Sequence, residues 1–202
     1  MASQKINKIP TLDFLTNRFK FVNNTILRDN LAIAFQYVYF LIVLENEYSA
    51  TGGILYSLYK NMIFYTAAIV ESCINYCINF LINKEKINEK DVMSFGWKYK
   101  NCKILFDADN GLTICGVHRI KEYEKFNCST QFITLNRIAK TAKIFNNELF
   151  EEAEKLRTLR NKMHLAGLNR KDDLYTKDDV ENAFRHANHI ISKIEIVITK
   201  FS

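Results

Sequence analysis

Residues 54–83 read ILYSLYKNMIFYTAAIVESCINYCINFLIN, and this run decides the fold. It holds no glycine or proline, and between Lys60 and Lys84 its one formally charged side chain is Glu71. Wound as a helix, it is apolar on nearly every face, the pattern of a helix enclosed by others. Upstream, residues 31–44 (LAIAFQYVYFLIVL) have the same character. They predict a helix that Asp29 or Asn30 can cap, running to about Tyr48 and stopped by Thr51-Gly52-Gly53. Before it, Leu12, Leu15, Phe19 and Val22 recur at helical spacing, which predicts a short amphipathic helix over residues 11–23.

Downstream the pattern changes. Residues 97–106 and 112–123 are rich in β-branched and aromatic side chains, and Asp107-Ala108-Asp109-Asn110-Gly111 between them is a turn signal. They predict a β-hairpin inserted at residues 93–127. A fourth helix then starts at Ser129 or Thr130 and runs to about Asn146, with Phe132, Leu135, Ile138 and Ala142 on one face. A fifth covers residues 147–164, followed by a polar loop with Gly167 near its start. The last begins at Thr176 and carries Val180, Phe184, Ala187, Ile191, Ile194 and Ile198 inward. Thr176 and Asp179 resemble a capping box, with Asp in place of the usual Glu or Gln. No internal repeat or low-complexity segment interrupts this order. The expected architecture is mainly α: one helical domain over residues 1–202 with an inserted β-hairpin.

Composition agrees. Six glycines and one proline in 202 residues fall far below average usage, which for the pair is about 12%. That shortage excludes collagen-like, linker-rich and turn-dense all-β chains. A chain of this length buries about 70% of its unfolded surface, so it needs no disulfide or structural metal to fold. The five cysteines are odd in number and read as reduced thiols of a cytosolic protein. Residues 1–12 carry Lys5 and Lys8 without a following apolar core and cleavage site, so no secretory signal is expected. Residues 31–44 include Gln36 and fall short of the roughly 20 apolar residues of a membrane span, which predicts a buried helix in a soluble protein. The net charge of +6 suits a polyanionic partner but is spread along the chain.

The segment most suggestive of chemistry is KLRTLRNKMHLAG, residues 155–167. Leu149, Ala153, Leu156 and Met163 form a core-facing stripe. Arg157, Asn161 and His164 fall on a neighbouring stripe, with Arg160 one position around the rim and Lys162 beside them. Guanidinium grips phosphate through two hydrogen bonds and neutralises the charge on a phosphorane. Imidazole titrates near neutrality and can take a proton from a ribose 2′-hydroxyl or give one to a leaving oxygen. Arg and His also gather at helix C-termini simply because they complement the dipole. Glu71, alone on a long apolar helix, is expensive to bury unpaired. It is expected either to pair with Arg157 or Arg160 and orient the guanidinium, or to lie on an exposed strip or meet a Lys.

Residues 156–164, Leu-Arg-Thr-Leu-Arg-Asn-Lys-Met-His, resemble the signature of the HEPN superfamily, a group of small helical-bundle proteins. Its motif is an Arg followed by four to six residues and then a His, often with a polar residue such as Asn between. Arg157 and His164 enclose six residues; from Arg160 the spacing is three, so Arg157 is the better counterpart. The long helix over residues 64–81 resembles the family's early helix, and residues 179–201 its closing one. About two-thirds of the chain fits, with the hairpin as an insertion.

The resemblance implies a metal-independent endoribonuclease acting on RNA in the bacterial cytoplasm, with no cofactor. Its site would form at a two-fold interface of a homodimer, with Arg and His from each subunit around one phosphate. His164 would be general acid or base, Arg157 and Arg160 would stabilise the phosphate, and Asn161 would bond the phosphate or hold the imidazole. Many members are toxins or abortive-infection effectors in defence systems. Others have lost catalysis and bind RNA or a partner, and an antitoxin or nucleotidyltransferase is an expected partner of such a chain.

Other signals are weaker. Lys98, Lys100, Lys103, Arg119 and Lys121 accompany Trp97, Tyr99 and Tyr123 on the hairpin, a mixture that can stack and clamp a single strand. A hairpin that merely alternates its faces looks the same. Cys73 and Cys77 share a helix face and read as small core residues. Cys102, Cys115, His118 and Cys128 fit no familiar zinc knuckle, and the Asp107 turn lacks the twelfth-position Glu of an EF-hand. His186 and His189 are expected on a polar helix face. No metal site is expected.

Overall fold

The computed structural model describes residues 9–92, 94–107, 111–124, 126–162 and 175–202. Met163, His164, Gly167, the turn residues 108–110 and residues 1–8 lie outside the described residues.

Helix α1 (Leu12–Arg18) is followed by α2 (Thr25–Tyr48) and α3 (Gly52–Asn83). The one-turn helix α4 (Glu89–Val92) leads into the hairpin strands β1 (Ser94–Asp107) and β2 (Thr113–Glu124). Then come α5 (Phe132–Thr141), α6 (Asn147–Asn161) and α7 (Lys177–Phe201). At 32 residues α3 is about 48 Å long. It is the spine of the bundle, packing on α2, α5, α6 and α7. Met62, Ile63, Ala67, Val70, Cys73, Ile74, Cys77 and Ile78 are buried along it, and the charge-poor run quoted above is thereby accounted for.

The ends of the elements differ from the sequence reading for local reasons. Helix α1 stops at Arg18, although Phe19 and Val22 beyond it are still buried. Helix α2 starts earlier than Asp29, because the Asn24 side chain accepts the Leu27 N–H and caps it there. It ends at Ser49, which takes a left-handed φ of 46°, rather than at the glycines. The glycine that matters is Gly52, whose φ of +58° lets the chain turn into α3. Helix α5 is shorter than expected because Lys143, at φ 58°, turns the chain, and Ile144 and Phe145 are buried outside the helix. The capping box of α7 is complete: Thr176 Oγ1 accepts the Asp179 N–H, and Asp179 accepts the Thr176 N–H.

Helices α2 and α3 are each long and apolar enough to cross a membrane by length and composition. The 14-residue stretch that looked too short is extended at both ends by the rest of α2. Half of the α3 window is buried inside the bundle, against 22% of the α2 window. The apolar side chains that α2 and α3 leave exposed include Ile33, Tyr37, Phe40, Ile54 and Phe64.

The hairpin is antiparallel, with Trp97 opposite Lys121, Tyr99 opposite Arg119 and Lys100 opposite His118. Its register slips between Lys100 and Lys103 and again between Ile104 and Phe106. Gly111, at φ +78°, supplies the left-handed turn residue. Among the described residues the strands pair chiefly with each other, and no helix packs extensively on them.

Candidate functional site

Glu71 lies near the middle of α3, and Arg160 lies in the last turn of α6. Their side chains meet: Arg160 Nη1 is 3.0 Å from Glu71 Oε2. Of the two arginines, the one that pairs with Glu71 is Arg160. The backbone N–H of Phe132, at the start of α5, also donates to Glu71. Gln131, the residue before α5, makes no side-chain cap, so a carboxylate from another helix serves that helix end. Burial pushes the Glu71 carboxyl above its ordinary range; the charge and hydrogen bond of Arg160 and the Phe132 N–H draw it back only in part.

Arg157 is held differently. Its Nε and Nη2 donate to Glu154 Oε2 at 2.9 and 2.8 Å, one turn earlier on α6. Asn136 of α5 donates to the other Glu154 oxygen at 2.7 Å. Burial works against the Glu154 charge. Hydrogen bonds from Arg157 and Asn136, with the charges of Arg157 and Arg137, outweigh it and hold the carboxyl below its ordinary range.

Both guanidiniums line one cleft of about 330 Å³, together with Glu71, Ser129, Gln131 and Asn161. A second cleft of about 300 Å³, shared by Glu71 and Ser129, opens on the other side toward Asn75 and Cys128. Arg160 also lies over the Phe64 ring, 5.9 Å from its centroid, so the cleft borders the apolar side chains exposed on α2 and α3. Arg160, expected at the rim, is thus as central as Arg157. Tyr175 braces this helix end, its hydroxyl donating to the Leu159 carbonyl at 3.2 Å.

The remaining candidates are dispersed. Lys162 faces a separate groove of about 500 Å³ between α6 and α7, with Lys155, Thr158 and Arg185, and not the Glu71 cleft. His164 lies outside the described residues. On the hairpin, Arg119 is 4.5 Å from the Trp97 ring centroid and 5.5 Å from that of Tyr99, all three on one face. Strand alternation sets Lys98 and Lys100 on the other face, so the basic residues there do not form one patch. Lys121 and Tyr123 lie on β2 with side chains outside the described set.

One of the two histidines of α7 corrects the sequence reading and the other, His189, is exposed as expected. His186 is buried rather than on a polar face, with its Nδ1 3.3 Å from Glu152 Oε1. His189 Nδ1 approaches the same oxygen at 3.1 Å from the exposed side. Cys73 and Cys77 are core residues.

The residues that sequence reasoning missed are Glu154, Asn136, Gln131 and Ser129. Glu154 had a signal in its i, i+3 spacing to Arg157. The other three come from α5 and the segment before it, and reach the site only through packing. Comparison of the chain with models of known families, with curated proteins and with solved structures finds no match.

Proposed function

We propose that the chain is an HEPN-like, metal-independent endoribonuclease, a toxin or abortive-infection effector of the bacterial cytoplasm. The observation that supports it is the cleft in which Arg157 and Arg160, each set by its own carboxylate, stand beside Asn161. In this reading the two guanidiniums receive the scissile phosphate and stabilise charge on its non-bridging oxygens. His164, two residues beyond Lys162 in the chain, takes the proton of the ribose 2′-hydroxyl or protonates the leaving oxygen. The 2′-oxygen bonds to phosphorus as the bond to the 5′-oxygen breaks. The products are a 2′,3′-cyclic phosphate and a 5′-hydroxyl.

The composite site that the resemblance implies needs a second copy. The exposed apolar residues bordering Arg160, from Phe64 to Tyr37 and Ile33, are the surface where that copy docks in this reading.

A second reading has its own observation. Both guanidiniums are already neutralised, Arg160 by Glu71 and Arg157 by Glu154, which lowers their pull on an anion. That arrangement suits a binding module without catalysis, one that co-purifies with an antitoxin or nucleotidyltransferase.

Cleavage of a labelled mixed-sequence RNA in excess EDTA separates the two. Cyclic-phosphate ends from the wild type, absent with His164→Ala, establish the RNase. Binding without cleavage by either protein establishes the module.

A further inference from the structure

The hairpin is the part of the molecule that the cleft leaves unexplained. Every described residue from 97 to 120 except Gly116 is exposed, so the ribbon buries neither face. Its strands are also cationic. Residues 97–106 hold Lys98, Lys100 and Lys103, residues 112–121 hold Arg119 and Lys121, and neither run contains an acidic residue. Like charges gathered on one ribbon repel, so this accumulation does nothing for the hairpin by itself. It suits a polyanion lying against it.

The register sorts the rings from the lysines. Trp97 and Tyr99 share one face with Arg119, which stands opposite Tyr99. The guanidinium lies over both rings, 4.5 Å from the Trp97 centroid and 5.5 Å from that of Tyr99. It restrains the rings, yet Trp97 stays 49% and Tyr99 63% exposed. Two residues along a strand are about 7 Å, so the rings form successive steps on one surface. Lys98, Lys100 and Lys103 lie on the other face. Lys100 opposes His118 and Lys103 opposes Gly116, two residues apart on β2, so that face carries through the slip. The faces of a ribbon are about 10 Å apart, close to the Debye length at about 0.1 M salt, so the lysines add to the field on the aromatic side.

Exposed rings with a guanidinium over them, inside a cationic stretch, are the chemistry that stacks unpaired bases and attracts the phosphates joining them. An A-form duplex keeps its bases stacked on each other, and its deep major groove is too narrow for side chains to read, which favours a single strand. We propose that the Trp97–Tyr99–Arg119 face of the hairpin holds single-stranded nucleic acid by base stacking, with Lys98, Lys100 and Lys103 supplying attraction to its phosphates. Trp97 to Lys103 spans about 20 Å, the length of about six nucleotides at about 3.4 Å each. Beyond Lys103 the ribbon turns apolar and then, at Asp107, acidic, and lies outside this track. The proposal deepens the RNase reading by making the strand that is held an unpaired one, and it rests on that reading only for the strand's fate, since its test involves no cleavage.

Trp97 is the sole tryptophan, so its emission reports on this face directly. The experiment titrates the full chain with end-labelled thymidine DNA of about 12 nucleotides, reading Trp97 emission and label anisotropy together. DNA lacks the 2′-hydroxyl and is held without being cut. The wild type is expected to bind with quenching of Trp97, and an abasic oligomer of the same length is expected to quench far less. Tyr99→Ala is expected to weaken binding about tenfold, and Lys98→Ala with Lys100→Ala to flatten its salt dependence, while far-UV melts check the helices. Binding that leaves Trp97 emission unchanged overturns the proposal and places the strand on the helices. So does the absence of binding at low salt, equal quenching by the abasic oligomer or by a duplex, or a Tyr99→Ala variant that binds like wild type. Quenching without cleavage of RNA sinks the RNase reading alone, and cleavage without quenching sinks this one alone.

Discussion

Arg157 and Arg160 are steered from different directions, and the two carboxylates that steer them respond oppositely to pH. The Glu154 carboxyl is held below its ordinary value, so its contribution to stability is present at neutral pH and is lost as pH falls through the folded value. Glu154→Gln is expected to cost about 1–3 kcal/mol at pH 7. At about 2–4 °C per kcal/mol in a domain of this size, that lowers Tm by several degrees, and the gap to wild type closes on acidification. Thermal melts at pH 7 and pH 3 check this. The Glu71 carboxyl is raised, so its ionisation opposes folding: whatever it contributes is greatest in acid and is lost as pH rises through the folded value. Glu71→Gln therefore spares Tm at neutral pH, and the Gln carbonyl can still accept the Phe132 N–H. What it removes is the charge that aims Arg160. If the cleft is the proposed site, RNA cleavage falls about 10- to 100-fold, the scale of a misplaced reacting group. Unchanged cleavage and unchanged self-association in Glu71→Gln would leave the pair without a positioning role.

Among the elements, α7 is the one most fully written in its sequence. Its apolar residues recur at helical spacing, and Thr176 and Asp179 announce its start by a side-chain hydrogen bond that acts within four residues. Thr176→Ala is expected to cost about 1 kcal/mol, seen as a Tm drop of a few degrees. Glu71 was legible for a similar reason, since one charge on a long apolar helix must find a partner. Its choice of Arg160 over Arg157 was not, because Glu154 claims Arg157 from within the same helix. Asn136 and Gln131 were illegible for a different reason. They enter the site because α5 packs across α3, a contact between segments far apart in sequence. The hairpin's existence was plain from its turn and its β-branched strands, whereas its bulges depend on local geometry that composition does not encode. Trp97, the sole tryptophan, reports on this element. Arg119→Ala removes the guanidinium above its ring and is expected to change Trp97 emission while leaving the helical melt in place.

For the whole molecule, α3 joins otherwise separate regions: it carries Glu71 at its middle and runs through α4 into the hairpin. The same helix has a consequence for how opening of the bundle can be timed. Cys73 and Cys77 are buried on α3, and burial pushes both thiols up to about 12. A thiol reagent attacks thiolate, so these two are inert until α3 parts from its neighbours, whereas the exposed Cys115 and Cys128 are open to modification in the folded state. Alkylation followed by mass spectrometry should therefore show a prompt phase at exposed positions and a slow phase at Cys73 and Cys77 together. The rate of that slow phase clocks the release of the spine, giving the protein a built-in stopwatch for its own unfolding.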